Sequence, residues 1–259
     1  VNFHVISLFS ELFQPFLENG VIGGAYKKEI FRCHFHNPRD FVEKHYKSVD
    51  DQPYGGGDGM LMAYERLKKC LASIGDTSAM EVISLSPAGE VWNAKMAEDY
   101  AEKKKDIVFV CGRYAGIDQR FIHKYVTKEV SVGDYIVSGG EQPCMLIMDS
   151  ILRHLPGVLG NLSSAKKDSF QAGLLEAPSF TRPDEVDGMR VPEVLKSGHH
   201  AEINQWQMAM AFLLTAQKRP DLLAISMPNE EQIKICKKFW SKTSSNERKL
   251  LGLEDRFPF

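Results

Sequence analysis

The stretch "VFVCGRYAGIDQR" (residues 108–120) decides how the rest of the chain is read. It begins as a buried strand, five apolar or small residues from Val108 to Gly112, and breaks into Gly-Arg-Tyr-Ala-Gly before any helix can start. No anionic side chain follows until Asp118. Glycines at the end of a strand let backbone come close to a ligand or to other backbone. The neighbouring segments say what sheet this strand belongs to. "FHVISLF" (3–9), "EVISLSP" (81–87) and "EVSVGDYIV" (129–137) are also short and rich in Val, Ile and Phe. Between them, "SELFQPFLENG" (10–20), "YERLKKCLASIG" (64–75) and "NAKMAEDYAEKKK" (93–105) carry the i, i+3, i+4 spacing of amphipathic helices. The alternation predicts an α/β fold with a mostly parallel sheet and helices on its faces.

"EQPCMLIMDSILRHLPG" (141–157) predicts a further helix, with Pro143 in its first turn and Pro156-Gly157 closing it. It is apolar nearly all round, which places it deep in the core or in a subunit contact. After Gly160 the texture changes. "NLSSAKKDSF" (161–170) has the polar, small and charged composition of a linker, and 178–200 is turn-rich. Two helical patterns follow, over 201–223 and 229–242. The expected organisation is therefore a domain over 1–160, a linker over 161–170 and a smaller, mainly helical domain over 171–259.

The 259 residues are 43% hydrophobic and 25% charged, the balance of a soluble globular protein. No apolar run is long enough to span a membrane and no signal-type segment opens the chain, so a cytoplasmic protein is expected. Lys and Arg total 32 against 34 Asp and Glu, a net charge of −2, so any polyanion must meet a local patch. The five cysteines stand at wide, irregular spacings without a C-x-x-C pair, which favours buried thiols over zinc or disulfides.

Glycine is dense in "QPYGGGDGM" (52–60), "CGRYAGIDQR" (111–120) and "VGDYIVSGGEQP" (132–143). None spells G-x-G-x-x-G between a strand and a helix, and none is a P-loop, so a dehydrogenase-type dinucleotide site fits poorly. Any one such turn is ordinarily just a turn. Three in one α/β domain, two directly after strands, point to a ligand at the carboxyl ends of the strands.

Together with "NPRDF" (37–41), "DDQPYGGGDGM" (50–60), "SVGDYIVSGGE" (131–141), "RHLPGVLG" (153–160), "DSF" (168–170), "GLLE" (173–176), "TRP" (181–183) and "VPEVLKSGHH" (191–200), these motifs resemble the bacterial tRNA (guanine-N1)-methyltransferases. The resemblance runs from the first strand to the last helix. It implies the SPOUT fold, with a deep trefoil knot, and transfer of a methyl group from S-adenosylmethionine to N1 of guanine 37, just 3′ of the tRNA anticodon. It implies a cofactor pocket of Leu85, Ser86, Pro87, Gly112, Tyr114, Ser131, Val132, Gly133, Asp134, Tyr135, Ile136, Val137, Ser138, Gly139, Gly140 and Pro143, with adenine against Val132, Ile136 and Val137. It implies Asp168 as the base for the N1 proton and Arg153 as the cation that offsets charge on guanine O6. Gly59, Glu176, Arg182, Ser197 and His199 would contact substrate. Glu176 stands where relatives carry Asp.

The resemblance further implies a homodimer whose active site lies at the subunit interface, and a C-terminal tRNA clamp in which Lys166, Lys167, Arg182, Arg190, Lys196, His199 and His200 meet phosphates. Magnesium is associated with the family, but no acidic cluster here has metal-ligand spacing, so no protein metal site is expected and an ion would contact substrate, cofactor or water. One departure stands out: relatives carry Glu where this chain has Ala115. The competing reading is an RNA-binding SPOUT homologue with weak or no activity, for which Ala115 speaks and the retained Arg153 and Asp168 speak against.

Overall fold

A computed structural model describes residues 1–42, 48–160, 168–224 and 226–259, and the chain divides into two compact units, Val1–Leu162 and Ser163–Phe259. The first is built on a five-stranded parallel sheet of β1 (Asn2–Ile6), β2 (Arg32–His36), β5 (Glu81–Val91), β6 (Ile107–Val110) and β7 (Lys128–Ser131), in the order β2-β1-β6-β5-β7. Two short strands, β3 (Asp50–Asp51) and β4 (Leu61–Met62), pair antiparallel outside it. The opening stretch supplies the central strand. All four residues of β6 are buried, because both faces of a parallel sheet are covered and a central strand has no solvent side.

Side-chain alternation sorts the core into two layers. Phe3, Val5, Ile83, Ile107 and Phe109 point to one face and pack with α4 (Ala94–Lys103) and α6 (Glu141–Leu152) through Met96, Tyr100, Ile147 and Ile151. Ile6, Val82, Val108 and Val110 point to the other, against Leu67 and Leu71 of α3 (Tyr64–Ala72) and Phe121 of α5 (Gln119–Tyr125). Asn93 caps α4 by accepting from the Met96 amide at 3.0 Å, and Lys104 closes it in the left-handed conformation. The nearly all-round apolar pattern of α6 matches its burial at Cys144, Ile147, Met148, Ile151 and Leu152, although Leu146 stays exposed.

Two sequence expectations are corrected here. The strand expected over 129–137 ends at Ser131, because the chain turns at Gly133 (φ +136°), where Ser131 Oγ accepts the Gly133 amide and Gly133 O accepts from Tyr135. The helix expected over 10–20 breaks into a 3-10 turn (Ser10–Phe13), α1 (Gln14–Glu18) and, starting from Gly20 at φ +62°, α2 (Gly20–Lys27). Glycines hide α2 from propensity, yet Gly23 is needed there, since a Cβ would lie 2.5 Å from the Glu18 carbonyl carbon. The helix α5 and, in the second unit, a hairpin of β8 (Glu185–Val186) and β9 (Met189–Arg190) were also not anticipated. Its Asp187-Gly188 turn has both residues at positive φ, the sequence signal for such a hairpin.

The second unit also contains α7 (Glu193–Lys196), α8 (His200–Lys218), α9 (Pro220–Leu223), α10 (Glu230–Lys242) and α11 (Ser245–Leu250). Its core joins Trp206, Met210 and Leu213 of α8 to Cys236 and Phe239 of α10. Thus the apolar run of α8 is core. All five cysteines are free and buried, and burial pushes the thiols of Cys33 and Cys70 up to about 12 and that of Cys236 to about 11, which keeps them unreactive. Among the described residues, no helix is long and apolar enough to cross a membrane.

Candidate functional site

Three pieces of chain meet around a cavity of about 310 Å³ beside the carboxyl ends of β6 and β7: the middle of β5, the loop after β6 and the loop between β7 and α6. Each is shaped by its glycines. At Gly89 a side chain would overlap the Val130 backbone, so only glycine lets β5 close on β7, where the register shifts between Leu85 and Glu90. At Gly140 a Cβ would lie 2.7 Å from Cys111 Cα, and the Gly140 amide donates to Gly112 O at 2.9 Å. The two loops are thereby locked backbone to backbone. Tyr114 itself sits at φ +60°, a cost that a non-glycine residue bears only when its surroundings hold it.

Of the expected cofactor residues, 85–87, 112, 114, 131–133, 135–140 and 143 line this cavity, while Asp134 is exposed and does not. Ile136 is 80% exposed and Tyr135 56%, so large apolar surface is left to solvent at one rim. The amides of Ile136, Val137 and Ser138 make no hydrogen bond among the described residues. The walls therefore offer apolar side chains and unspent main-chain donors.

Arg113, Gly116 and Val130 also line the cavity and were missed as site residues, and Ala115, the departure from the relatives, lines it too. Arg113 had a signal, a lone cation inside a glycine turn. Its guanidinium lies 4.4 Å from the Phe9 ring centroid and donates through Nη1 to Ser138 O at 3.2 Å. Arg113 Nη2 stands 2.9 Å from Glu141 Oε2, and Ser7 Oγ donates to Glu141 Oε1 at 2.7 Å. Glu141 is wholly buried at the start of α6, where the helix N-terminus favours its charge. Arg113 Nε and Glu141 Oε2 are buried without a hydrogen-bond partner, so the pair meets by charge more than by aligned bonds.

The 52–60 loop borders this region. Gly59, exposed at φ +100°, faces Ala115 so closely that an added Cβ would lie 3.1 Å from the Ala115 Cβ. Ala115 N donates to Met60 O, and Met62 N to Gly116 O, both at 2.9 Å.

Arg153 caps the C-terminus of α6 and lines a different depression, with Pro15, Phe16, Asn19, Gly20, Val21, Ile22, Asp149 and Leu159. Burial raises the Asp149 carboxyl above its ordinary range, and the Arg153 charge opposes that shift.

In the second unit, Asp168 is partly buried at the start of a tight turn, in which Phe170 N donates to Leu174 O at 2.7 Å and Glu176 N to Ser169 Oγ at 2.9 Å. Glu176, Arg182, Ser197 and His199 are exposed. Of the expected phosphate contacts, Arg190 pairs with Glu185 at 2.7 Å and Lys196 with Glu193 at 2.7 Å, which neutralises part of the basic patch. Lys166 and Lys167, and most of the expected linker, lie outside the described residues. No cluster of three or more His, Cys, Asp or Glu that could hold a metal occurs among the described residues.

A family model described as tRNA (Guanine-1)-methyltransferase TrmD matches residues 1–225. A tRNA (guanine-N(1)-)-methyltransferase of Hydrogenovibrio crunogenus is 48% identical over 225 residues, 86% of this chain and 94% of the relative. Proteins of the same name from Actinobacillus succinogenes and Nitrosospira multiformis are 43% and 42% identical, over 92% and 95% of this chain and 98% and 99% of their own lengths. With a parallel α/β sheet, glycine-locked loops at its carboxyl edge and matches of this extent, the chain belongs to the tRNA (guanine-1)-methyltransferase family.

Proposed function

We propose that this chain methylates N1 of guanine 37 in tRNA, immediately 3′ of the anticodon, with S-adenosylmethionine as donor. The observation that carries the reading is the cavity at the ends of β6 and β7, in a chain of this family. Its residues fit the donor: Val132, Ile136 and Val137 offer apolar contact to an adenine ring, and the free amides of residues 136–138 suit its ring nitrogens. When bound, S-adenosylmethionine supplies an electrophilic methyl group on a sulfonium. The chain's own task is to hold guanine N1 in line with that methyl and to take its proton.

Asp168 accepts the N1 proton and Arg153 offsets the negative charge that gathers on O6. They belong to different compact units, and the reading completes the site across a homodimer, with the C-terminal unit holding tRNA through Arg182, Ser197, His199 and Glu176. It includes the deep trefoil knot through the loops at 112–140, residence in the cytoplasm, and any magnesium bound by substrate, cofactor or water. The names of the relatives, all methyltransferases, favour an active enzyme over a non-catalytic homologue.

The test is incubation with S-adenosylmethionine carrying a labelled methyl group and tRNA with guanine at position 37. Label in the tRNA and a primer-extension stop at that guanine are expected, and Asp168→Asn should remove both while cofactor binding persists. Absence of label and stop with the native chain would end the reading.

A further inference from the structure

We infer that Arg113, braced by Glu141, is a positioning residue for the cofactor, fixing the curvature of the 131–140 loop; the inference rests on the function proposed above. That loop needs an anchor. Beyond Ser131 it belongs to neither strand nor helix, and its own short-range bonds are Tyr135 N to Gly133 O, the Tyr135 hydroxyl to Val132 O and the contacts of Ser131 Oγ with Gly133. Its far end is tied down by two links, the Gly140 amide on Gly112 O and the Arg113 guanidinium on Ser138 O.

The second link demands an arginine. A planar guanidinium reaches the Ser138 carbonyl through Nη1 and Glu141 through Nη2 at once, while its face lies on Phe9. An ammonium group is a point donor and cannot hold both in one plane. Gly139 belongs to the same device, because any side chain there would overlap Arg113 Nε. The four residues of this device come from three places in the chain: Ser7 and Phe9 follow β1, Arg113 follows β6, and Glu141 opens α6.

The electrostatics also suit a cationic ligand. Arg113 is the charged side chain among the residues lining the cavity, and alone it would repel a sulfonium. Glu141, fully buried and itself oriented by Ser7, cancels that charge from behind while leaving the cavity wall free of a competing carboxylate.

A purely structural ion pair and a positioning one predict different results. The variants are Arg113→Lys, which keeps the charge that Glu141 needs, and the paired neutral Arg113→Met/Glu141→Gln, which leaves no buried charge stranded and keeps an acceptor for Ser7. For both, the thermal midpoint, the Kd for S-adenosylhomocysteine and the KM values for S-adenosylmethionine and tRNA are measured. In both we expect the KM and Kd for cofactor to rise about tenfold, the worth of one anchoring hydrogen bond, while the KM for tRNA and the thermal midpoint change little. Cofactor constants equal to those of the native chain in either variant would overturn the inference. So would a loss of affinity that only tracks a loss of the thermal midpoint. The native chain run in parallel separates the two failures: if it binds no S-adenosylhomocysteine and methylates no tRNA, the functional reading itself is at fault.

Discussion

The glycine triplet at 55–57 and the glycine pair at 139–140 are alike in composition and opposite in physics. In the first, Gly55, Gly56 and Gly57 lie at φ +88°, +75° and +122° with open space where a side chain would go. They serve backbone conformation. In the second, Gly139 and Gly140 need no unusual φ, but a Cβ on either would collide with Arg113 or with the backbone of Cys111. They serve close packing. Glycine density thus reports two unrelated constraints, and of these two groups the close-packed pair lines the cavity while the triplet does not.

Gly140→Ala should have the largest effect. The collision is with backbone, which cannot rotate away, so a loss of about 1–3 kcal/mol is expected in a denaturant titration, together with weaker cofactor binding. An unchanged midpoint would erase the distinction between the loops. Gly56→Ala should cost about 1 kcal/mol through its left-handed backbone alone and leave cofactor affinity as it was, read by the same titration and by calorimetry.

Ala115→Glu tests the place where the 52–60 loop borders the cavity, since Ala115 lies against Gly59 and also lines the cavity. Ala115 is exposed, so a longer side chain has room and the thermal midpoint should hold. A carboxylate there should change the KM for S-adenosylmethionine or the turnover number by a few-fold, and kinetics equal to those of the native chain would remove Ala115 from the account.

The smallest effect lies away from both loops, on the β1–β2 edge of the sheet. His4 Nδ1 and His36 Nε2 are 3.1 Å apart and both imidazoles are held below the ordinary 6.5, by burial first and then by neighbouring histidines. A base whose folded-state value is depressed gives stability that is complete above pH 6.5 and is lost as pH falls towards the folded value. The thermal midpoint should therefore decline modestly as the pH is lowered below 6.5, and His4→Gln should flatten that slope.

How far the sequence reached varies from one element to the next. The strand of 107–110 was legible because a buried central strand is a continuous apolar run bounded by turn residues. The cavity loops were legible because glycines cluster directly after strands, in motifs that resemble those of the family. By contrast, α2 was illegible, since Gly20, Gly23 and Gly24 argue against a helix and only the approach of Glu18 explains Gly23. The strand expected through 137 failed for a similar reason. Val132, Ile136 and Val137 look like strand residues because they are apolar, but they are apolar as cavity wall.

The sequence by itself determined the fold class, the parallel sheet, the helices with clear periodicity and the family, because these depend on local propensity and on ordered motifs. Tertiary structure alone decided that Gly112 and Gly140 touch, that Glu141 neutralises Arg113 from beneath the cavity, and that Gly59 lies against Ala115. Each of these joins residues far apart in the chain. Their contact is set by strand order and by how closely backbones can pack, which no local pattern encodes.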